Sequence, residues 1–190
     1  MKGSPFGQVR GPVQFTFGQS YHPITPLEIT ITRCAVTKEE DAKKERTMGS
    51  KHIVPYALYA AKGYVSPTFA EKTGFTTADL DLLFQALLQM FEHDRSAARG
   101  EMIVRGLYDF EHCGTQHPNN ADQNKREARL GCAHAHKLIE GIEVTLKEGK
   151  TIPESFADYQ VVCKWTAENL PKGIKLNLRH EDASIGPRQG

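Results

Sequence analysis

Nothing in these 190 residues is built to enter or cross a membrane. The opening MKGSPFGQVR has no apolar stretch of the kind a secretory leader uses, and no run approaches the roughly 18 apolar residues of a membrane span. Excess charge of one sign is also missing: 24 Lys and Arg stand against 23 Asp and Glu, a net +1 with the eight histidines neutral. Bulk charge therefore does not hold a polyanion here, and any such site has to be local. Cysteine is sparse and widely spaced, at positions 34, 113, 132 and 163, which argues for free thiols in a reducing cytoplasm. There is no P-loop, dinucleotide fingerprint, nucleophile elbow or paired-acid motif. His52 and His93 lie near acids, but no catalytic set forms around them, so the chain is expected not to be an enzyme.

What remains is ordinary globular material, 39% hydrophobic and 25% charged, long enough for one domain with a real core. Val13, Phe15 and Phe17 alternate with Gln14 and Thr16, and Leu27, Ile29 and Ile31 alternate with Glu28, Thr30 and Thr32. Both patterns predict half-buried strands. A polar stretch over 37–52 follows, with five basic and four acidic residues, then a third strand over 52–66. Residues 76–94, TTADLDLLFQALLQMFEHD, hold the clearest helix. Thr76 can cap it, Asp79 sits in the first turn, and Leu80, Leu83, Phe84, Leu87 and Phe91 form a core-facing stripe. A strand is expected within 101–112, a loop over 112–131, helix or turn at 134–139, and strands at 141–147, in ADYQVVCKWT and in GIKLNLRH. This order predicts an α+β fold with an antiparallel sheet, of the kind seen in the second half of a ferredoxin-like βαββαβ domain. The first strand and helix of such a domain have almost no residues left to form them, so an upstream part is expected to be missing.

The join at residues 45–65, ERTMGSKHIVPYALYAAKGYV, raises a functional question. Arg46, Lys51 and His52 offer donors, Gly49 and Ser50 allow close backbone approach, and Met48 can adapt to a base face. Such a loop at the mouth of a strand is either solvated surface or a grip on a phosphate backbone. Arg10, Gln14 and Arg33 are further candidates, Gln14 because its amide both donates and accepts.

Three segments carry a resemblance: GQVRGPVQFTFGQSYHPITPLEITITRCAVT, RTMGSKHIVPYALYAAKGYVSP and MFEHDRSAARGEM. In this order they resemble the CRISPR-associated Cas-seven family (Csd-two type), the backbone subunit of the subtype I-C Cascade complex. The resemblance runs from about Gly7 to about Leu178; GPVQ is weak alone, HDRSAARGE far more particular. It implies an RNA-recognition-like palm with inserted loops at 37–51 and 112–131, spanning 7–178 as one partial domain, with flexible ends at 1–6 and 179–190. It implies copies that polymerise along one CRISPR RNA, holding its backbone and leaving bases to pair with target DNA, beside other Cascade subunits. It implies no nuclease activity and no cofactor. The family's long N-terminal region is absent, which sets the expectation of a truncated chain.

A guide holder needs sequence-neutral contacts to phosphate and 2′-hydroxyl groups. Arg10, Gln14, Arg33, Arg46, Met48, Lys51 and His52 are the residues expected to supply them. HDRSAARGE, with alternating charge after a helix, is expected to pair internally or to contact a neighbouring subunit. A rival reading is a zinc-stabilised interaction module: Cys113 and His117, then Cys132 and His136, form two C-x3-H units fourteen residues apart. Eight histidines make such spacing easy to reach by chance, so metal-free loop histidines are expected instead. A second rival is a remnant that does not function.

Overall fold

The computed structural model describes residues 7, 9–32, 48–117 and 119–182. Ten strands, β1 (Val13–Phe15), β2 (Gln19–Ser20), β3 (Leu27–Thr32), β4 (Met48–Ile53), β5 (Tyr59–Ala60), β6 (Gly63–Val65), β7 (Gly106–His112), β8 (Ile142–Leu146), β9 (Tyr159–Cys163) and β10 (Ile174–Glu181), alternate with four helices. The helices are α1 (Pro67–Thr73), α2 (Thr77–Gln89), α3 (Ala121–Leu130) and α4 (Ala135–Glu140). This is an α+β fold. Among the described residues the strands form five separate antiparallel pairs, β1–β6, β2–β5, β3–β4, β7–β10 and β8–β9, rather than one continuous sheet.

Core burial is concentrated in the second half. Leu138 of α4 is 1% exposed and sits with Phe156, Tyr159, Cys163 and Ile174, all buried. Trp165 closes this group: its indole N–H donates to the Leu138 carbonyl at 2.7 Å, and its ring lies over Gly141, where a Cβ would fall 2.1 Å from Nε1. Asp158 is buried beside the same residues. Its carboxylate accepts from the Glu154 and Ser155 backbone amides and faces Lys150 at 2.9 Å. The Glu154 N–H, followed by Lys150, holds its pKa well below the ordinary value. His22 tilts against Tyr159 at 5.3 Å, and Tyr56 lies 6.4 Å from the same ring. These contacts tie the first half to β9.

α2 begins as expected. Thr76 accepts from the Asp79 amide and Asp79 accepts from the Thr76 amide, a reciprocal cap that satisfies two otherwise orphan donors. Its apolar stripe differs from expectation: Leu80, Leu83, Phe84, Leu87 and Phe91 are half-buried, and no residue of the helix is fully buried. Leu107, Asp109 and Glu111 of β7 share one face with Lys175, Asn177 and His180 of β10, and a polar side chain of β10 links this pair to the helix. Arg179 makes the join. The strand register shifts between Leu178 and His180, leaving Arg179 as an extra residue. A bulge of this kind re-aims a side chain. The guanidinium bonds Asp109 at 3.0 and 3.2 Å, reaches Asp81 of α2 at 3.4 Å, and stands 4.5 Å over the Phe84 ring.

Other expectations are corrected. The strand over 52–66 is three short strands instead, because Pro55 supplies no N–H and breaks the ladder after Ile53. β4 begins at Met48, so residues 48–51 are strand rather than loop. Phe15 is half exposed and Phe17 is 98% exposed, since β1 ends at Phe15 and its two-stranded sheet offers no second layer to cover either ring. Leu27, Ile29 and Ile31 are exposed for the same reason. Residues 101–105 precede β7 and are not strand. Within the expected loop 112–131, residues 121–130 form α3. That helix has no apolar stripe to reveal it; Asn120 accepting from the Gln123 amide and the Gly131 N–H bonding to Glu127 hold its ends.

Candidate nucleic-acid interface

The pleat of the β3–β4 hairpin decides what its side chains can do. Residues directly opposite in an antiparallel pair project to the same face. The register places Glu28 opposite His52, Thr30 opposite Ser50 and Thr32 opposite Met48. Alternating with them, Leu27 faces Ile53, Ile29 faces Lys51 and Ile31 faces Gly49. One face is thus polar, with hydroxyls, an imidazole, a carboxylate and a thioether. The other is apolar, with Lys51 as its one cation.

This register divides the predicted site. Met48 and His52 share the polar face and are exposed. Lys51, half-buried beside Ile29, belongs to the opposite face. Arg33 and Arg46 lie outside the described residues. Arg10 and Gln14 stand on other elements. The Arg10 guanidinium lies 4.9 Å over the Phe69 ring of α1. The Gln14 amide donates to the Val13 and Gly11 carbonyls at 2.9 and 3.3 Å, so its donors are spent locally. The residues missed as members of the polar face, Glu28, Thr30 and Thr32, carried a legible signal: they are the polar half of the β3 alternation.

The polar face suits sequence-neutral contact. Hydroxyl groups donate and accept, and a carboxylate accepts from a ribose hydroxyl while repelling phosphate.

The HDRSAARGE segment is internally paired. Ser96 and Arg99 exchange backbone hydrogen bonds at 3.1 and 2.9 Å, and Arg99 holds Asp94 with two bonds at 2.9 and 3.0 Å. Arg95 pairs with Glu92 at 2.9 Å. Its cations are engaged by neighbouring acids, which agrees with a structural role.

Nor do the two C-x3-H units converge. His117 bonds Glu127 and Thr115, both at 2.9 Å, while the His136 ring stacks on His134 with centroids 5.6 Å apart. Among the described residues no group of three or more His, Cys, Asp or Glu side chains is placed to hold a metal ion. Among the same residues no helix is long and apolar enough to cross a membrane.

A family model described as CRISPR-associated protein Cas7 matches residues 1–164, most of the chain. No curated protein matches it.

Proposed function

The chain belongs to the CRISPR-associated Cas7 family, which implies an RNA-binding backbone subunit of a Cascade-type complex, and on that premise we propose that it serves the subtype I-C complex. In this reading it holds guide RNA along the sugar–phosphate backbone, copies of it stack along one guide, and exposed bases pair with target DNA. Other Cascade subunits complete the assembly in the cytoplasm. The chain contributes binding and no catalysis. The chain forms one RNA-recognition-like palm to which the β7–β10 pair and α2 belong, and because β10 runs to Glu181 that palm extends past the expected end at residue 178.

One observation carries the reading. The β3–β4 hairpin exposes both of its faces, one lined by Met48, Ser50, His52, Glu28, Thr30 and Thr32, the other bearing Lys51. Such a two-sided projection fits a strand of RNA, whose sugars and phosphates present hydroxyls and anions side by side. The test is the affinity of the purified chain for a CRISPR RNA and for an unrelated RNA of equal length, across salt concentrations. Equal binding to both, weakening steeply with salt, is the expected result. Substituting Arg46, Lys51 and His52 together by Ala should weaken both RNAs alike and reduce the salt slope by about 1–2. Unchanged affinity in that variant would sink the assignment of the grip to the hairpin.

A further inference from the structure

An imidazole closes the far end of β7. His112 shares one face of the β7–β10 ladder with Phe110, Ile174 and Leu176. Beside its ring the chain leaves α3 through Gly131, at φ +94°, and turns towards α4. A Cβ at residue 131 would stand 3.7 Å from the imidazole Cε1. The next residue makes the join: the Cys132 amide donates to Nδ1 of His112 at 2.9 Å.

This bond fixes the state of the ring. A nitrogen that accepts from a backbone amide carries no proton, so His112 is held as the neutral tautomer with its proton on Nε2. A protonated imidazole donates from both nitrogens and accepts at neither. Two N–H groups would then face each other, and the Cys132 amide would lose its partner.

The groups around the ring do not favour its charged form. On β7, Glu111 and Cys113 alternate with His112 and project to the other face, as does Lys175 of β10. Tyr108, on the ring's own face, donates to Glu181 at 2.9 Å. From α3, the Glu127 carboxylate is taken by Thr115 and His117. The link to α4 brings the Cys132 thiol and a second imidazole, His134. Burial is what acts on His112, and it lowers the pKa from the ordinary 6.5. The same link carries another acid-sensitive contact. The His134 and His136 rings stack with centroids 5.6 Å apart, 27° from parallel. As neutral rings they attract, and as two cations at that separation they would repel.

We propose that residues 131–136 form a proton-operated hinge, closed while His112 is neutral and accepts from Cys132, and opened when that ring takes up a proton. A histidine whose pKa is depressed by folding contributes its full stability above 6.5 and loses it as pH falls below that value. Opening is confined to the link. His117 responds in the opposite sense: its proton turns the 2.9 Å bond to Glu127 into an ion pair, which keeps the middle of α3 fastened to the 115–117 loop. On the other side α4 stays seated through buried Leu138, whose carbonyl accepts from Trp165. The hinge lies between these two anchored points, and acidification loosens the last turn of α3 without unfolding either neighbour. None of the hairpin residues takes part.

The experiment follows the full chain by NMR from about pH 7.5 to about pH 5. Ring nitrogen shifts report the tautomer and protonation of His112. Hydrogen exchange, corrected for the intrinsic effect of pH, reports the Cys132 amide. The expected result is a neutral ring protonated on Nε2 at the upper end, then a fall of about fivefold in Cys132 protection as the ring titrates, with the Phe110 and Leu176 amides unchanged. His112→Asn keeps an acceptor that takes no proton, and its Cys132 protection should stay flat over the same range. A His112 ring that carries its neutral proton on Nδ1, or that stays neutral throughout, overturns the inference. So does Cys132 protection that holds while His112 titrates, or an equal fall in H112N. Should H112N fail to fold, the joint titration of the ring and the Cys132 amide in the parent decides alone.

Discussion

Gly141→Ala tests the packing of Trp165 on which the buried cluster around Leu138 depends. At residue 141 the backbone is ordinary right-handed helical, φ −73° and ψ −7°. Alanine would adopt that conformation without strain, and by reducing the freedom of the unfolded chain would be worth roughly 0.4–1 kcal/mol of added stability. Against this stands the indole. The new Cβ would fall 2.1 Å from Nε1, 2.4 Å from Cε2 and 2.8 Å from Cδ1 of Trp165. The ring cannot yield without lengthening its 2.7 Å bond to the Leu138 carbonyl. Overpacking of this kind costs about 1–3 kcal/mol. An indole N–H left without its acceptor costs about 1–3 kcal/mol more. The unfavourable terms win, for a net loss of about 2–4 kcal/mol. In a chain of this size that lowers Tm by roughly 5–15 °C. Thermal unfolding followed by circular dichroism measures the shift, and Trp165 emission in the folded state should move to longer wavelength as the ring is pushed outward. The same substitution in a Trp165→Leu background should be close to neutral, because the clash has no partner there. A variant as stable as the parent, with unchanged emission, would refute the seating of Trp165 on Gly141.

Glu127 gives a pH prediction. The Thr115 hydroxyl, then the Thr115 amide and His117, hold its pKa at about 2 against an ordinary 4.5. A carboxylate depressed in the folded state stabilises above its unfolded pKa and loses that contribution as pH falls. The stability Glu127 lends by tying Thr115 and His117 to α3 should therefore be full above pH 4.5 and be lost from there towards pH 2. Glu127→Gln should flatten the dependence of Tm on pH in that window, whereas parallel acid curves for parent and variant would contradict it. Arg179→Met should free α2 from the β7–β10 pair, since it removes the bonds to Asp109 and Asp81 together with the contact over Phe84. The expected loss is about 1–3 kcal/mol. Hydrogen exchange should show α2 amides opening faster while β7 and β10 keep their protection; equal protection of α2 in both proteins would contradict the clamp.

How much of this was legible beforehand depends on which forces decide each element. α2 could be read to its cap because the Thr76 and Asp79 exchange is local, and local rules hold without a tertiary partner. β9, β10 and the α4–β8 succession were legible for a similar reason, short alternating runs bounded by Gly and Pro. α3 was not. Its sequence, ADQNKREARL, buries no stripe, so hydrophobic periodicity had nothing to detect. Burial failed most clearly on Phe17, Leu27, Ile29 and Ile31. Alternation says which residues share a face, and it did so correctly for β3; it does not say whether anything covers that face.

For the candidate site the same distinction applies. Residue types pointed to Met48, Lys51 and His52, but adjacency in sequence concealed that Lys51 and His52 project oppositely once the stretch is strand rather than loop. The spending of Gln14 on its own backbone and the placement of Arg10 over Phe69 are tertiary and near-neighbour geometries that composition does not encode.

The extra residue in β10 has a consequence for how this chain tolerates change in length. Leu178 faces Tyr108 and His180 faces Leu107, so the ladder already pairs as though Arg179 were absent. Losing that single codon would leave every cross-strand partner where it is and make the strand more regular. What would vanish is the side chain that joins the helix at Asp81 and Phe84 to the sheet at Asp109. A deletion invisible to strand pairing would uncouple two elements, and an insertion at the same point could create such a coupling in a strand that lacked one. In this chain, a step of one residue separates a plain ribbon from a ribbon with a helix fastened to it.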